Sequence, residues 1–254
     1  MRLQQYILQE GRGKSISIDE AKSLIEVMCI DALKAYKNGS IIYRGVKQQY
    51  DYALINPKSG KPRVSANTSN HYTLINDNSP YWKGYPKRSE SIICSTEKDV
   101  TYLYGNVYIV LPYDGAEIGV CPSQDYWYSF EKSIDSSLDQ FNSNLDYLIE
   151  MVTDKKVNLK SYSSLVKSFK EFDKSFNKMG DDPRIIIKNT YEFLKKYKDD
   201  DSLLKYVQKL LSPKPNGFQL KKSGDKLPKK REVWTDSKSI LISYENIDII
   251  DSFS

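Results

Sequence analysis

Apolar residues near the start of the chain repeat every three or four positions, which is the spacing of one face of an α-helix. Ser17 and Glu20 form an S-x-x-E capping box ahead of this repeat, and Asn38-Gly39 is a typical helix stop. The repeating positions are Leu24, Val27, Met28, Leu33 and Tyr36. The pattern predicts one helix over residues 18 to 37.

Short runs of β-branched and aromatic residues follow and predict strands. Residues 40 to 45 form the first run and residues 91 to 96 the second. Residues 107 to 111 form the third, and a Pro-Tyr-Asp-Gly turn connects it to residues 116 to 119. Residues 47 to 86 have little periodicity, so we expect a long irregular loop that carries function or wraps a site.

The second half of the chain changes to helical spacing and then back to strands. Between residues 131 and 211, Leu and Phe recur at spacings of three and four, which predicts about four amphipathic helices. Residues 212 to 231 predict a basic loop rich in Pro and Gly, and residues 232 to 234 and 239 to 244 predict a final hairpin. The predicted fold class is α+β, with a mostly antiparallel sheet and flanking helices.

Composition narrows the possible chemistry. The chain has 254 residues, with three cysteines and a single histidine, His71. An odd number of widely spaced cysteines in apolar surroundings predicts buried thiols in a reducing compartment. One histidine excludes Ser-His-Asp and Cys-His catalysis unless His71 itself serves, and the few His and Cys side chains argue against a zinc site. We therefore expect no metal.

The chain start, Met1-Arg2-Leu3-Gln4-Gln5, lacks the apolar segment of a signal peptide. No apolar run approaches the roughly 18 residues that a membrane span needs. We expect a cytoplasmic protein that does not enter a membrane. The net charge of +5 is compatible with an anionic partner but does not identify one.

A basic cluster lies near the C-terminal end, in residues 221 to 231. It contains Lys221, Lys222, Lys226, Lys229, Lys230 and Arg231, with Asp225 as the one acid. Two interpretations remain open, an ordinary solvated loop or a surface that contacts a phosphate backbone.

Polar residues occupy the ends of three predicted strands. Arg44 ends the first strand, Ser95 and Thr96 close the second, and Glu232 begins a late strand. Each is common alone, as a surface ion pair, a helix cap or a solvent-facing glutamate. Together, in this order, they resemble the ADP-ribosyltransferase superfamily, in the class with Arg, Ser and Glu on three strands.

The resemblance covers about residues 40 to 130 and 228 to 245. Residues 92 to 96 are similar to the family's apolar-apolar-x-Ser-Thr strand, residues 104 to 116 to its next strand and turn, and residues 232 to 242 to its catalytic-glutamate hairpin. It implies a split antiparallel sheet of the ADP-ribosyltransferase type, with NAD as substrate. The expected single domain, 1–254, contains an N-terminal helical segment (1–39), NAD-binding strands (40–130), a helical insertion (131–211) and a target loop with the catalytic-glutamate hairpin (212–254).

The resemblance also implies roles for individual residues. Glu232 would stabilise the oxocarbenium-like state formed when the nicotinamide-ribose bond breaks, and would bind a ribose hydroxyl. Ser95 would orient Glu232 through a hydrogen bond. Arg44 would hold the phosphates of NAD as a bidentate fork, and Gly45 would let the backbone approach the nicotinamide amide.

Three aromatic residues and one threonine complete the expected NAD site. Tyr43 belongs to it through the Tyr-Arg-Gly run, and Thr96 would shape the strand end. Tyr102 or Tyr104 would stack on the nicotinamide ring, or would simply pack within the fold.

Two positions depart from the family pattern. Glu97 stands where many members have serine. Lys230, two positions before Glu232, stands where arginine-modifying members have glutamate, so arginine modification is not expected. Lys229, Lys230 and Arg231 would instead suit an anionic target such as RNA or DNA.

The expected function is therefore mono-ADP-ribosyl transfer from NAD to an intracellular macromolecule, preferably nucleic acid. A protein acceptor, NAD hydrolysis without an acceptor, and a non-enzymatic nucleic-acid or protein-binding module remain alternatives. Residues 61 to 130 also resemble uncharacterised tailed-phage proteins, which suggests a toxin or a phage-host conflict factor. Such a toxin would need a neutralising partner protein.

Overall fold

Nine strands form an antiparallel sheet in the computed structural model, which describes residues 13–60, 62, 70–178, 197 and 200–253. The strands are β1 Lys14–Ser15, β2 Tyr43–Val46, β3 Tyr52–Ile55, β4 Ile92–Ser95, β5 Asn106–Pro112, β6 Glu117–Val120, β7 Gln219–Lys222, β8 Glu232–Thr235 and β9 Ser239–Ser243. Their spatial order is β1-β3-β9-β5-β2-β4-β8-β6-β7. The predicted combination of helices with a mostly antiparallel sheet is confirmed.

Helices lie between these strands along the chain and after the last one. They are α1 Ile18–Met28, α2 Ile30–Lys37, α3 His71–Asn78, α4 Glu131–Ile134, α5 Leu138–Thr153, α6 Tyr162–Phe176, α7 Leu203–Leu210 and α8 Asp248–Asp251. Short 3₁₀ turns include Asp99–Tyr104, between β4 and β5. Residues 131 to 178 and 203 to 210 are thus largely helical, whereas residues 179 to 196 of the predicted helical insertion lie outside the described residues.

The first predicted helix is divided in two, so the expectation of one helix over residues 18 to 37 is wrong. Cys29 leaves helical geometry, with φ −126° and ψ 29°. The carboxylate of Asp114 accepts hydrogen bonds from the amides of Ile30 and Asp31, at 3.2 and 2.8 Å. These bonds satisfy amides that a second helix start exposes, which the apolar spacing does not reveal.

The described residues belong to two compact units. The sheet unit comprises those within 1–67, 84–126 and 217–254, and it contains all nine strands. The helical unit comprises those within 68–83 and 127–216. Every residue of the site described below belongs to the sheet unit.

The sheet is nearly divided between β2 and β4. Strand β2 matches β5 at four residue pairs, and β4 matches β8 at four, but β2 and β4 share the single register pair Tyr43–Ser95. Strands β1, β3, β9, β5 and β2 therefore form one half of the sheet, and β4, β8, β6 and β7 form the other. We call this junction the split.

The predicted final hairpin is wrong, because β8 and β9 do not pair with each other. Strand β8 pairs with β4 and β6, whereas β9 pairs with β3 and β5. The short connection between them carries the chain from one half of the sheet to the other. Strands β5 and β6 are separated in the same way, although a turn of four residues connects them.

Two segments expected as loops contain regular structure. Residues 47 to 86 hold β3 and α3, and residues 212 to 231 hold β7 at the edge of the sheet. Strand β3 is a run of four residues, Tyr52–Ile55, that pairs on both sides, with β1 and β9. Its Ala and the polar residues beside it make the strand hard to recognise from the sequence, since a strand this short has too few positions for a clear alternation.

Apolar side chains cover both faces of the sheet. On one face, Ile109 and Ile242 pack with Ala21 and Ile25 of α1. On the other face, Tyr108, Val110, Leu241, Cys94 and Val233 form a second cluster. All three cysteine side chains are buried, as predicted. Burial raises the pKa of Cys29 to about 12, with a further contribution from Asp114, so this thiol stays protonated at neutral pH.

The helical unit has its own core, in which aromatic rings pack between α5, α6 and α7. Fully buried members include Phe141, Phe169, Phe172, Leu203 and Val207. Within this unit His71 is fully buried, 2.9 Å from a carboxylate oxygen of Asp146. That burial is typical of a structural histidine and gives no support to a catalytic role for His71.

Trp234 requires a glycine on the neighbouring strand. A Cβ atom on Gly119 would lie 2.2 Å from the Trp234 ring, so we expect Gly119→Ala to destabilise the fold by about 3 kcal/mol. Gly115→Ala is the control, because nothing lies within 4 Å there and only the backbone angle of φ +74° opposes a side chain. It should cost about 1 kcal/mol. Chemical denaturation measures both, and equal losses would contradict the packing argument.

Candidate functional site at the split

Three of the expected site residues lie in one row across the split. Tyr43 on β2 is directly opposite Ser95 on β4, and Ser95 is directly opposite Glu232 on β8. Directly opposed residues in antiparallel strands project from the same face. The strand order therefore brings together residues that are far apart in the chain. Ser95 and Glu232, for example, are 137 positions apart.

Glu232 is held in place by its own backbone and by the residues that follow it. Its amide donates to the carbonyl of Ser123 at 3.3 Å, and its carbonyl accepts from Cys121 at 2.9 Å. Val233 and Trp234, the next two residues of β8, are each 1% exposed. A strand with two such buried anchors fixes the position of the residue that precedes them.

The carboxylate of Glu232 is bound at both oxygens. Oε1 lies 2.5 Å from Nη2 of Arg88, and Oε2 accepts a hydrogen bond from the amide of Tyr126 at 3.3 Å. The side chain of Glu232 is 14% exposed and that of Arg88 is 11% exposed. This ion pair is largely shielded from water, so its Coulomb attraction is screened less than that of a pair on the surface.

Aromatic rings surround the guanidinium of Arg88. It lies 3.9 Å from the ring centroid of Tyr126 and 5.6 Å from that of Trp234, both within the range of cation–π attraction. Trp234 donates its indole N–H to the carbonyl of Pro86 at 2.9 Å, and its ring stacks on Tyr85 at 6.3 Å. We call the rings of Tyr126 and Trp234 around Arg88 the aromatic box.

Ser95 is buried, and its hydroxyl serves a local turn. Oγ accepts a hydrogen bond from the amide of Glu97 at 2.9 Å. Among the described residues, the expected hydrogen bond from Ser95 to Glu232 is not formed, although the two residues are register partners. In this structure Arg88 and the Tyr126 amide hold the carboxylate instead.

Arg44 lies next to the row but not in it. Tyr43 is in the row, and side chains alternate along a strand, so Arg44 leaves β2 on the opposite face, with Cys94 and Val233. Its guanidinium crosses the split and donates to the carbonyl of Ile93 on β4. This bond reinforces the junction, which a single residue pair otherwise holds. Arg44 itself is 8% exposed.

Gly45 is required by the protein itself. A Cβ atom there would lie 2.0 Å from the carbonyl oxygen of Thr101 and 2.8 Å from Cβ of Tyr104. The 3₁₀ turn Asp99–Tyr104 thus packs directly on the backbone of β2, which explains the glycine without a ligand. Tyr104 is half-buried, whereas Tyr102 is 56% exposed.

Tyr43, at the other end of the row, is half-buried among polar aromatic neighbours. Burial raises the pKa of the Tyr43 phenol, and nearby Tyr244 raises it further. Lys98 lies 4.4 Å from the ring centroid of Tyr244 and 5.9 Å from that of Tyr102. The Tyr43 phenol therefore remains a neutral hydrogen-bonding group at physiological pH.

Thr96 fastens the end of the basic cluster, which we call the basic segment (residues 221 to 231), to β4. Its hydroxyl donates to the carbonyl of Pro228 and accepts from the amide of Arg231, both at 2.9 Å. Its own amide donates to the carbonyl of Arg231 at 2.9 Å. Lys230 turns between these contacts with a positive φ of 55°, a conformation uncommon outside glycine.

The three residues expected to bind a target are presented differently. Lys229 and Lys230 are exposed, whereas Arg231 is half-buried and donates to the carbonyl of Lys230 at 2.9 Å. The two lysines lie three and two positions before Glu232 along the chain. A charged target that contacts them would be brought toward the split.

Within the described ranges, no group of three or more His, Cys, Asp or Glu side chains is arranged to hold a metal ion. Nor does the part of the chain that the structure describes contain a helix with the length and apolarity needed to cross a membrane. Comparisons of the chain with protein-family models, curated proteins and solved structures found no match. The functional argument therefore depends on the residues themselves.

Arg88 and Tyr126 were missed by the sequence analysis. Arg88 follows a segment that looks irregular, and Tyr126 contributes through its amide as well as its ring. The one available signal was Glu232 itself, since a glutamate beside the apolar pair Val233-Trp234 requires a partner if it is buried. Nothing in the sequence says which of the cations is that partner.

The attachment of the basic segment can be tested at Thr96. Thr96→Val leaves the carbonyl of Pro228 and the amide of Arg231 without this partner, so we expect about 2 kcal/mol of destabilisation. Trypsin should also cleave after Lys229, Lys230 and Arg231 faster than in the wild type. Thr96→Ser keeps the hydroxyl and should restore most of both properties. Equal cleavage of all three proteins would contradict the attachment.

Proposed function

We propose that this protein is an NAD-dependent mono-ADP-ribosyltransferase that modifies an intracellular macromolecule, with nucleic acid as the preferred acceptor. The observation that carries the proposal is the row Tyr43–Ser95–Glu232 at the split. Ser95 and Glu232 were selected from the sequence for their resemblance to the Arg-Ser-Glu class, and Tyr43 as the neighbour of its arginine, Arg44. Their assembly on three neighbouring strands supports that resemblance, because unrelated polar positions have no reason to share a row.

The division of the sheet supports the same proposal. The resemblance implies a split antiparallel sheet, and β2 and β4 share one register pair, whereas β2 and β5 share four and β4 and β8 share four. Arg44, which is expected to hold the phosphates of NAD, spans this junction through its bond to Ile93. In the proposed enzyme NAD binds at the split, and Glu232 lies at the edge of the split.

The proposed chemistry needs one well-placed carboxylate. Cleavage of the nicotinamide-ribose bond develops positive charge on the ribose, and a carboxylate beside it stabilises that charge. Glu232 suits the task because two strands and two contacts to its oxygens fix it. Nicotinamide leaves with the bonding electrons, and a nucleophile on the acceptor forms the new bond to the ribose carbon.

The basic segment supports an anionic acceptor. Lys226, Lys229 and Lys230 are exposed, and Thr96 holds the last two close to Glu232. Lysines that neutralise phosphates release counterions, which favours RNA or DNA as the bound macromolecule. A cytoplasmic toxin or phage-host conflict factor, with a neutralising partner protein, is the setting we propose for such an activity.

Replacement of the carboxylate tests the enzyme directly. We expect Glu232→Gln to lower nicotinamide release from NAD at least about 100-fold, because the amide cannot balance the charge that develops on the ribose. Glu117→Gln is the matched control, since Glu117 is exposed at the start of β6. Circular dichroism establishes that both variants are folded.

The wild-type result separates the alternatives. Nicotinamide release without a labelled acceptor would indicate a glycohydrolase. A wild-type protein that releases none, but retards nucleic acid in a gel without NAD, would overturn the proposal in favour of a binding module.

The acceptor class can be tested through the exposed lysines. Lys229→Gln with Lys230→Gln should weaken RNA or DNA binding and reduce the slope of log affinity against log salt by about two, because two phosphate contacts are lost. Lys22→Gln with Lys34→Gln removes the same charge from exposed positions on α1 and α2. That control should change the slope little. Equal effects would exclude a local phosphate surface, and label in a protease-sensitive band would identify a protein acceptor.

A further inference from the structure

Arg88 has no part in the roles that the resemblance implies, yet it makes the closest contact to Glu232. Its Nη2 is 2.5 Å from Oε1, and both side chains are nearly buried, at 11% and 14% exposed. Oε1 itself is buried, so the exposed part of the Glu232 side chain lies elsewhere. The pair therefore distinguishes the two carboxylate oxygens.

The aromatic box limits the positions that Arg88 can take. Tyr126 lies against the guanidinium at 3.9 Å, and Trp234 lies at 5.6 Å. Trp234 is itself fixed by its bond to Pro86 and by its fit over Gly119. Contacts with these rings restrict the orientation of the planar guanidinium, whereas a lysine ammonium would have no comparable fork.

Tyr126 joins the two parts of this arrangement. Its ring contacts Arg88 while its amide donates to Oε2 of Glu232 at 3.3 Å. Tyr126 thus contacts both Arg88 and Oε2 of Glu232. The bond to Oε2 is long for an N–H donor, and a carboxylate oxygen has two lone pairs, so Oε2 can accept a second hydrogen bond from a ligand.

We propose that Arg88 is a positioning residue for the reaction. It holds Oε1 of Glu232 and thereby presents Oε2 to the ribose of NAD. This inference rests on the proposed function. It assigns to Arg88 the orienting task that the resemblance gives to Ser95, whose hydroxyl oxygen accepts from the amide of Glu97.

The test compares steady-state nicotinamide release by the full-length wild type, Arg88→Ala and Arg88→Lys. A misplaced carboxylate affects the transition state more than substrate binding, so Arg88→Ala should lower kcat by about 100-fold and change KM for NAD by less than about threefold. Arg88→Lys keeps a charge and should recover part of kcat. Lys87→Ala removes the neighbouring exposed cation and should behave as the wild type.

Chemical rescue separates positioning from a merely structural role. Methylguanidinium added to Arg88→Ala should restore kcat several-fold, because it can occupy the space between Tyr126 and Trp234. It should not restore Glu232→Gln. If Arg88→Ala does not fold, Arg88→Lys and Arg88→Gln replace it, and the lysine variant should have the higher kcat.

The outcomes are distinguishable. A wild type that releases no nicotinamide overturns the proposed function, and with it the role of Arg88. An active wild type whose folded Arg88→Ala variant keeps kcat within about twofold overturns the role of Arg88 alone. Loss of kcat that neither lysine nor methylguanidinium recovers also overturns it, as do equal values for the lysine and glutamine variants.

Discussion

The junction between β2 and β4 is the constraint on which the rest of the site depends. One residue pair, Tyr43–Ser95, joins a half-sheet of five strands to one of four. So short a ladder cannot hold two half-sheets by backbone hydrogen bonds alone. Arg44 adds a bond from its guanidinium to Ile93, and repeated crossings of the chain connect the halves covalently. The polar residues gather where the ladder is weakest.

Packing around Trp234 determines how the carboxylate is presented at that junction. Trp234 and Glu232 are two residues apart on β8, so they share a face. The indole fills the space left by Gly119, and together with Tyr126 it encloses Arg88. A cation enclosed by rings needs a counter-charge, and Glu232 supplies it. The packing of Trp234 in the core therefore positions Arg88, and Arg88 in turn pairs with Glu232.

Sequence patterns predicted most of the sheet but not its connections. The runs around Arg44, Ser95 and Glu232 all became strands, because β-branched and aromatic residues in short runs report a strand directly. Pairing depends on residues far apart in the chain, so the closeness of β8 and β9 in sequence wrongly suggested a hairpin. Arg88 could not be foreseen for the same reason. Its meaning depends on two rings and a carboxylate that the fold brings together, and no spacing records them.

The alternation of side chains restricts where a ligand can bind. Ser95 and Glu232 project from one face of the sheet, and Arg44 projects from the other. A molecule lying flat on one face could contact Ser95 and Glu232, and a molecule on the other face could contact Arg44, but neither could contact all three. A ligand that reaches Arg44 and Glu232 together has to enter the split itself, where the strands share one residue pair. The bond to Ile93 occupies one nitrogen of the buried Arg44 guanidinium, so a phosphate at Arg44 would have to bind its other N–H groups or replace this bond.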